Sequence, residues 1–280
     1  MIVFLHIPKT AGSSFHFVLE NNLGVSFCHT GHTQTRVFNQ EDLTFAKRIF
    51  PGLKGIGGHN LVAPLNLSAP DIFHMTFLRE PLSRVLSNYQ EKTLHRRLRG
   101  QPVLDFEEAL KTDEELGNLQ VKLMAGSSNL EAAKHYLRQC HFVGLTEKFD
   151  LSMLVLQKSC PFPLDVRYKK SREQTDNSIR KQLESDPRAM ELLREHNRLD
   201  MELYDYAGRE IFPQLCIRAG LDPDQKVAPQ NTLNEGNDLK RKLSRFYNRT
   251  VYRNLCKVRR KGKPFNWNDE SHVKRESLHR

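Results

Sequence analysis

Residues 2–23 read IVFLHIPKTAGSSFHFVLENNL, and the order of residue types within them decides the fold. Residues 2–7 are an apolar run of strand length. Pro8 to Gly12 break the pattern, and FHFVLENNL resumes it with apolar residues at helical spacing. Strand, loop and helix in that order open an α/β unit. The alternation then continues. Apolar segments at residues 25–29 (VSFCH), 53–58 (LKGIGG), 71–78 (DIFHMTFL) and 140–146 (CHFVGLT) predict further buried strands. Helical stretches are expected at about residues 41–48, 82–98, 116–139 and 147–159. The expected architecture is therefore α/β, with a central parallel sheet flanked by helices in three layers and right-handed crossovers.

After Pro163 the pattern turns helical. Residues 185–212 predict one long amphipathic helix, started by Ser185-Asp186-Pro187. Residues 221–238, LDPDQKVAPQNTLNEGND, have the composition of a linker. Beyond it, Leu239, Leu243, Phe246, Tyr247, Val251, Leu255 and Val258 fall near one helical face, with Lys240, Arg241, Lys242, Arg245, Arg249 and Arg253 over much of the rest. That face either docks the helix on the domain, leaving a solvated basic side, or the helix is a surface element contacting an acidic glycan or anionic membrane. The expected division is a domain over residues 1–220 and a linker with a basic helical extension over residues 221–280.

The chain's 280 residues suffice for one sizeable core. Its 38% hydrophobic and 27% charged residues exclude disordered and fibrous classes. A formal charge of +10 points to anionic partners without choosing among them. Cys28, Cys140, Cys160, Cys216 and Cys256 show no metal-ligand spacing and read mainly as reduced thiols, with one bridge such as Cys140–Cys160 left open. The opening IVFLHI is too short for a signal core or a membrane span. A cytoplasmic location is expected if Met1 is the native start, and the Golgi lumen if an N-terminal anchor has been removed.

Two motifs carry chemistry. In HIPKTAGSSF, residues 6–15, a loop enters a helix at Gly12, where unpaired N–H groups and the positive end of the dipole suit a phosphate. Lys9 adds a cation, Thr10, Ser13 and Ser14 add hydroxyls, and Gly12 permits close approach. A helix start capped by Ser or Thr is the structural alternative. In FLREPLSRVLSNY, residues 77–89, Arg79 ends a strand, Pro81 sits in the next helix's first turn and Ser87 follows two turns later. Arg79 and Ser87 together suit a second phosphate. Arg84 reads as a solvated or ion-paired surface residue, and Tyr89 as packing.

HIPKTAGSSF resembles the 5′-phosphosulfate loop of sulfotransferases that use 3′-phosphoadenosine 5′-phosphosulfate (PAPS), and Arg79-x-Pro81-x-x-Arg84-x-x-Ser87-x-Tyr89 is similar to their 3′-phosphate motif. GGHN (residues 57–60), NLQVKLMAG (118–126) and FVGLTEKFD (142–150) resemble the carbohydrate branch that includes heparan sulfate 2-O-sulfotransferase and bacterial relatives. The resemblance covers about residues 1–210 and implies a P-loop-like fold, PAPS as sulfuryl donor and a carbohydrate or other hydroxyl acceptor. It implies that Lys9, Thr10, Gly12, Ser13 and Ser14 hold the 5′-phosphosulfate and that Arg79 and Ser87 hold the 3′-phosphate. At residues 166–176, VRYKKSREQTD, the chain departs from the relatives' cofactor-covering loop, so no role passes to Lys170, Ser171 or Arg172.

In-line sulfuryl transfer requires positioning, a cation for the leaving oxygen and a base for the acceptor. Lys9 fits the second task. His59, just beyond the glycine-rich end of a predicted strand, fits the third and matches the histidine that 2-O-type enzymes place there. His29 and His32, with Glu20 behind them, are the next candidates. No metal is expected, since no acidic cluster is evident. The rival readings are a small-molecule phosphotransferase, which lacks here a Walker loop and metal carboxylate, and a nucleic-acid-binding module, for which no signature is present.

Overall fold

A computed structural model describes residues 1–33, 37–65, 67, 71–168, 177–228 and 239–260. Lys170, Ser171 and Arg172 lie outside the described residues. Five parallel strands, β1 (Ile2–Leu5), β2 (Phe27–His29), β3 (Gly55–Gly58), β4 (Phe73–Leu78) and β5 (Phe142–Leu145), form one sheet in the order β2-β3-β1-β4-β5. Each of the five predicted strands is present. β1 is buried at every position, as a central parallel strand covered on both faces requires.

Helices α1 (Gly12–Leu23), α2 (Gln40–Ile49), α3 (Pro81–Leu98), α4 (Phe106–Thr112), α5 (Leu119–Ala125), α6 (Leu130–Gln139) and α7 (Phe149–Ser159) accompany the sheet. Together they make the three-layer, P-loop-like α/β architecture. Phe15 of α1 packs edge-on against Phe4 of β1, ring centroids 4.6 Å apart, and reaches Phe77 of β4 at 5.0 Å. Those contacts fix α1 over the sheet. A second apolar cluster joins Val85, Leu86 and Tyr89 of α3 to Phe106 and Leu110 of α4. Tyr89 is packing, as expected, with its hydroxyl donating to the Leu104 carbonyl at 2.8 Å.

Two predicted helices are broken. The stretch 116–139 divides at Gly126, whose φ of 70° ends α5 in the left-handed region. Residues 185–212 form α9 (Pro187–His196) and α10 (Arg198–Tyr206), after a short α8 (Ser178–Glu184). The predicted start holds, because Asp186 caps the N–H groups of Arg188 and Ala189. Asn197 makes the break. Its buried amide donates to the Leu116 carbonyl at 2.9 Å and accepts from Asn118 N–H at 3.1 Å, so tertiary bonds override helix propensity. A π-turn (Ala207–Ile211) then leads into α11 (Phe212–Arg218).

The tail is helical, as α12 (Leu239–Phe246), a π-turn (Tyr247–Tyr252) and α13 (Arg253–Arg260). It docks on the domain by a face shifted from the expected apolar one, of which Tyr247 still packs on Phe50. Ser244, Asn248, Tyr252 and Cys256 are the buried positions, whereas Leu239, Leu243, Phe246, Leu255 and Val258 face outward. The reason is β2, one of the sheet's two edge strands. Asn248 accepts from His29 N–H and donates to the Phe27 carbonyl, both at 2.8 Å, and so supplies the hydrogen bonds a neighbouring strand would make. The five cysteines are unbridged. Among the described residues, no helix is long and apolar enough to cross a membrane.

Candidate active site

The strand ends of β1, β3 and β4 bring the two sequence motifs together. In the loop after β1, Lys9 and Ala11 hold positive φ values of 69° and 59°. Each costs roughly 1–2 kcal/mol for a residue with a Cβ. Left-handed residues set in such a turn fold successive backbone N–H groups into a concavity for an anion. α1 begins directly behind it, and Ala11 at its N-cap offers no side-chain cap. The open end is thus available to a ligand rather than closed by Ser or Thr.

The predicted loop residues divide by position. The Thr10 hydroxyl is fully buried and donates to the Ile7 carbonyl at 2.9 Å, so its side chain stabilises the turn. Ser13 is exposed and Ser14 half-buried at the mouth of the helix. Gly12 has a reason not visible in sequence: a Cβ there would stand 1.6 Å from His6 Nε2. The imidazole of His6, not an anion alone, requires the glycine.

Arg79 leaves β4 and donates through Nη1 to the Lys9 carbonyl at 3.0 Å, so the two motifs share one site. Buried Gln120 clamps the Arg79 backbone on both sides, accepting its N–H at 3.1 Å and donating to its carbonyl at 3.0 Å. This explains the NLQV patch. Lys9 Nζ pairs with Glu91 of α3 at 3.1 Å. Ser87 lies one turn before Glu91, on the same side of α3. Glu80 caps α3 through the N–H groups of Leu82 and Ser83, with Pro81 in the first turn as expected. Arg84 is not a surface residue. It is fully buried, donates to the Glu115 carbonyl and lies 4.0 Å from the buried Asp200 carboxylate, which also receives the Gln120 and Val121 N–H groups.

Beside the loop a cleft of about 760 Å³ opens, lined by Ser13, His6, His59, His29 and His32 among others. Lys9, Arg79 and Ser87 are not among the residues lining this cleft. His59 Nδ1 lies 3.0 Å from the His6 carbonyl. Nδ1 is therefore the protonated nitrogen, and the lone pair is at Nε2. Burial holds the His59 pKa below the ordinary histidine value, against the raising effects of that hydrogen bond and of Glu115 and Glu91. The ring stacks on His6 at 4.0 Å, and His6 Nδ1 is 3.1 Å from His16 Nε2. Burial lowers both of those histidines well below 6.5. His29 Nε2 lies 2.8 Å from Glu20, whose other oxygen accepts from Arg245 at 2.8 Å. Asn60 of GGHN bonds Thr30 and Thr33, tying the end of β3 to the turn after β2.

The model of the sulfotransferase family matches residues 1–207. The chain belongs to this family. A search of curated protein sequences finds no match to it. Several features of this sulfotransferase's site have no local sequence signal: Glu91 opposite Lys9, Arg180 donating to Ser83 near Arg79, and Arg241, Arg245 and Arg249 of the tail along the cleft. The tail arginines are legible as a basic helix, but not as cleft residues. Among the described residues, no group of His, Cys, Asp and Glu is arranged to hold a metal ion.

Proposed function

We propose that this sulfotransferase takes its sulfuryl group from PAPS and delivers it to a hydroxyl of a carbohydrate acceptor, with the catalytic machinery in residues 1–220. The observation that carries this reading is the Arg79–Lys9 contact, which sets a cation for a 3′-phosphate against an uncapped loop and helix end suited to a 5′-phosphosulfate. The residues fit the donor: backbone N–H groups of the loop, Ser13, Ser14 and Lys9 for one end, Arg79 and Ser87 for the other. The three patches that resemble the carbohydrate branch support the acceptor class.

When bound, PAPS supplies the sulfuryl group and a leaving oxygen that retains the bonding electrons as adenosine 3′,5′-bisphosphate departs. His59 Nε2 takes the proton of the acceptor hydroxyl from the cleft side. Its hydrogen bond to His6 holds the ring in the required tautomer, and burial keeps it neutral. Lys9 turns from Glu91 to meet the charge growing on the leaving oxygen.

A second reading of the base rests on the His29–Glu20 pair, in which the carboxylate orients an imidazole lining the same cleft. Single His59→Ala and His29→Ala variants, assayed with radiolabelled PAPS against a glycan panel, separate the two. Donor identity is tested by melting: adenosine 3′,5′-bisphosphate without metal should raise Tm, whereas a rise only with ATP and magnesium would restore the phosphotransferase reading.

A further inference from the structure

The charge of this chain is unevenly placed. Residues 1–238 hold 29 Lys and Arg against 30 Asp and Glu, while residues 239–260 hold nine Lys and Arg and no acid. That helix lies beyond the family match, which ends at residue 207, yet it forms one wall of the cleft. Its buried positions, Ser244, Asn248, Tyr252 and Cys256, recur every four residues. One position after each stands Arg245, Arg249, Arg253 and Lys257, with Arg241 a turn earlier. Positions four apart rise by about 6 Å, so these side chains form a ladder along one side of the helix.

The cleft end of the ladder is pre-oriented. Arg245 donates through Nε to the buried Glu20 carboxylate at 2.8 Å. The Arg241 guanidinium lies over the Phe17 ring, 4.6 Å from its centroid. Arg249 lines the same cleft as His59 and Ser13. Guanidinium groups fixed by stacking and by a carboxylate lose less freedom on meeting an anion than solvated lysines do. Among the described residues Glu20 is the one acid lining the cleft, and it is already engaged by Arg245 and His29. The field there is positive: after burial and His29, Arg253 and Arg249 help push His32 down to about 4.

We infer that Arg241, Arg245 and Arg249 are specificity-determining residues that select a negatively charged acceptor chain, which the rest of the ladder holds as it leaves the cleft. This rests on the sulfotransferase reading above and adds its acceptor's charge. A hydroxyl carried by an anionic chain held on the arginine wall would reach into the cleft that His59 also lines.

Full-length protein loaded with adenosine 3′,5′-bisphosphate is titrated calorimetrically with a heparin octasaccharide as polyanionic probe. Arg241→Gln/Arg249→Gln should weaken binding at least about tenfold, the loss expected for charge-assisted hydrogen bonds. Arg241→Lys/Arg249→Lys should recover part of it, and Arg188→Gln, on exposed α9, should change nothing. Thermal midpoints check folding. No binding by the wild type, equal affinity in the Gln variant, or an equal loss in Arg188→Gln would overturn the inference. So would a Gln variant that binds the octasaccharide normally but loses phosphatidylserine vesicles, which would make the ladder a lipid surface. Failure to bind the bisphosphate, with the octasaccharide responding as expected, would instead remove the donor assignment and leave the anion wall standing.

Discussion

At the scale of single residues, three side chains divide the proposed work. His59→Ala should lower turnover about 10²–10⁴-fold, the usual contribution of a general base, and leave bisphosphate affinity nearly intact. Its lowered pKa places the acid limb of the kcat/KM profile, which reports the free enzyme, below pH 6.5; a limb above 6.5 would move the role elsewhere. Arg79→Ala should weaken bisphosphate binding by about 1.5–3 kcal/mol, the value of a charged hydrogen bond, measured by calorimetry. Lys9→Ala should cost turnover more than donor affinity, because its charge matters most late in the transfer. Equal losses would make Lys9 an anchor only. The motifs together with the resemblance single out Lys9, Arg79 and His59, each of which follows a predicted strand, for the proposed roles. They could not lead to Glu91, which is 82 residues from its partner Lys9 and sits on an ordinary helix face.

Among the elements, the junction of β1 and α1 is the tightest fitted. Gly12→Ala sets a methyl against the His6 ring and should lower stability by about 1–3 kcal/mol, the usual cost of overpacking. His6→Ala in the same chain opens room for that methyl. The double variant should therefore be more stable in urea than the sum of the two single losses. Strict additivity would show that position 12 is constrained by the backbone instead. Elements with a local period were legible: all five strands, α3 with its Pro81 start, and the Asp186 cap of α9. What was not legible came from tertiary bonds. Asn197 breaks a continuous amphipathic pattern because its amide serves residues 116 and 118. The tail turns Ser244, Asn248, Tyr252 and Cys256 to the domain because Asn248 satisfies the edge of β2. Hydrophobic periodicity alone does not assign this face.

Over the whole molecule, acid should be destabilising. His6, His16, His32, His59 and His74 all have pKa values lowered in the fold, with burial the largest cause for each. The unfolded chain then binds more protons below about pH 6.5, so stability is full above that pH and falls as pH drops through it. Each histidine contributes up to about 1.36 kcal/mol per pH unit within its window. Urea unfolding followed from pH 7.5 to 5.5 should show this decline. A flat or rising curve would mean that the imidazoles are protonated in the folded state.

The lopsided charge of the chain has a kinetic meaning. A body close to neutral over residues 1–238, with nine cations on one helix, has its centre of charge displaced from its centre of mass. It is a large electric dipole. Random collisions must search for the productive orientation, which holds ordinary association to about 10⁵–10⁷ per molar per second. A charged chain approaching this molecule would instead rotate it during the approach, so that first touch falls on the helix beside the cleft mouth. Guided encounters of that type reach about 10⁸–10⁹ per molar per second. Capture would then be governed by the helix and turnover by the sheet edge, with Arg245 gripping Glu20 where the helix borders the cleft.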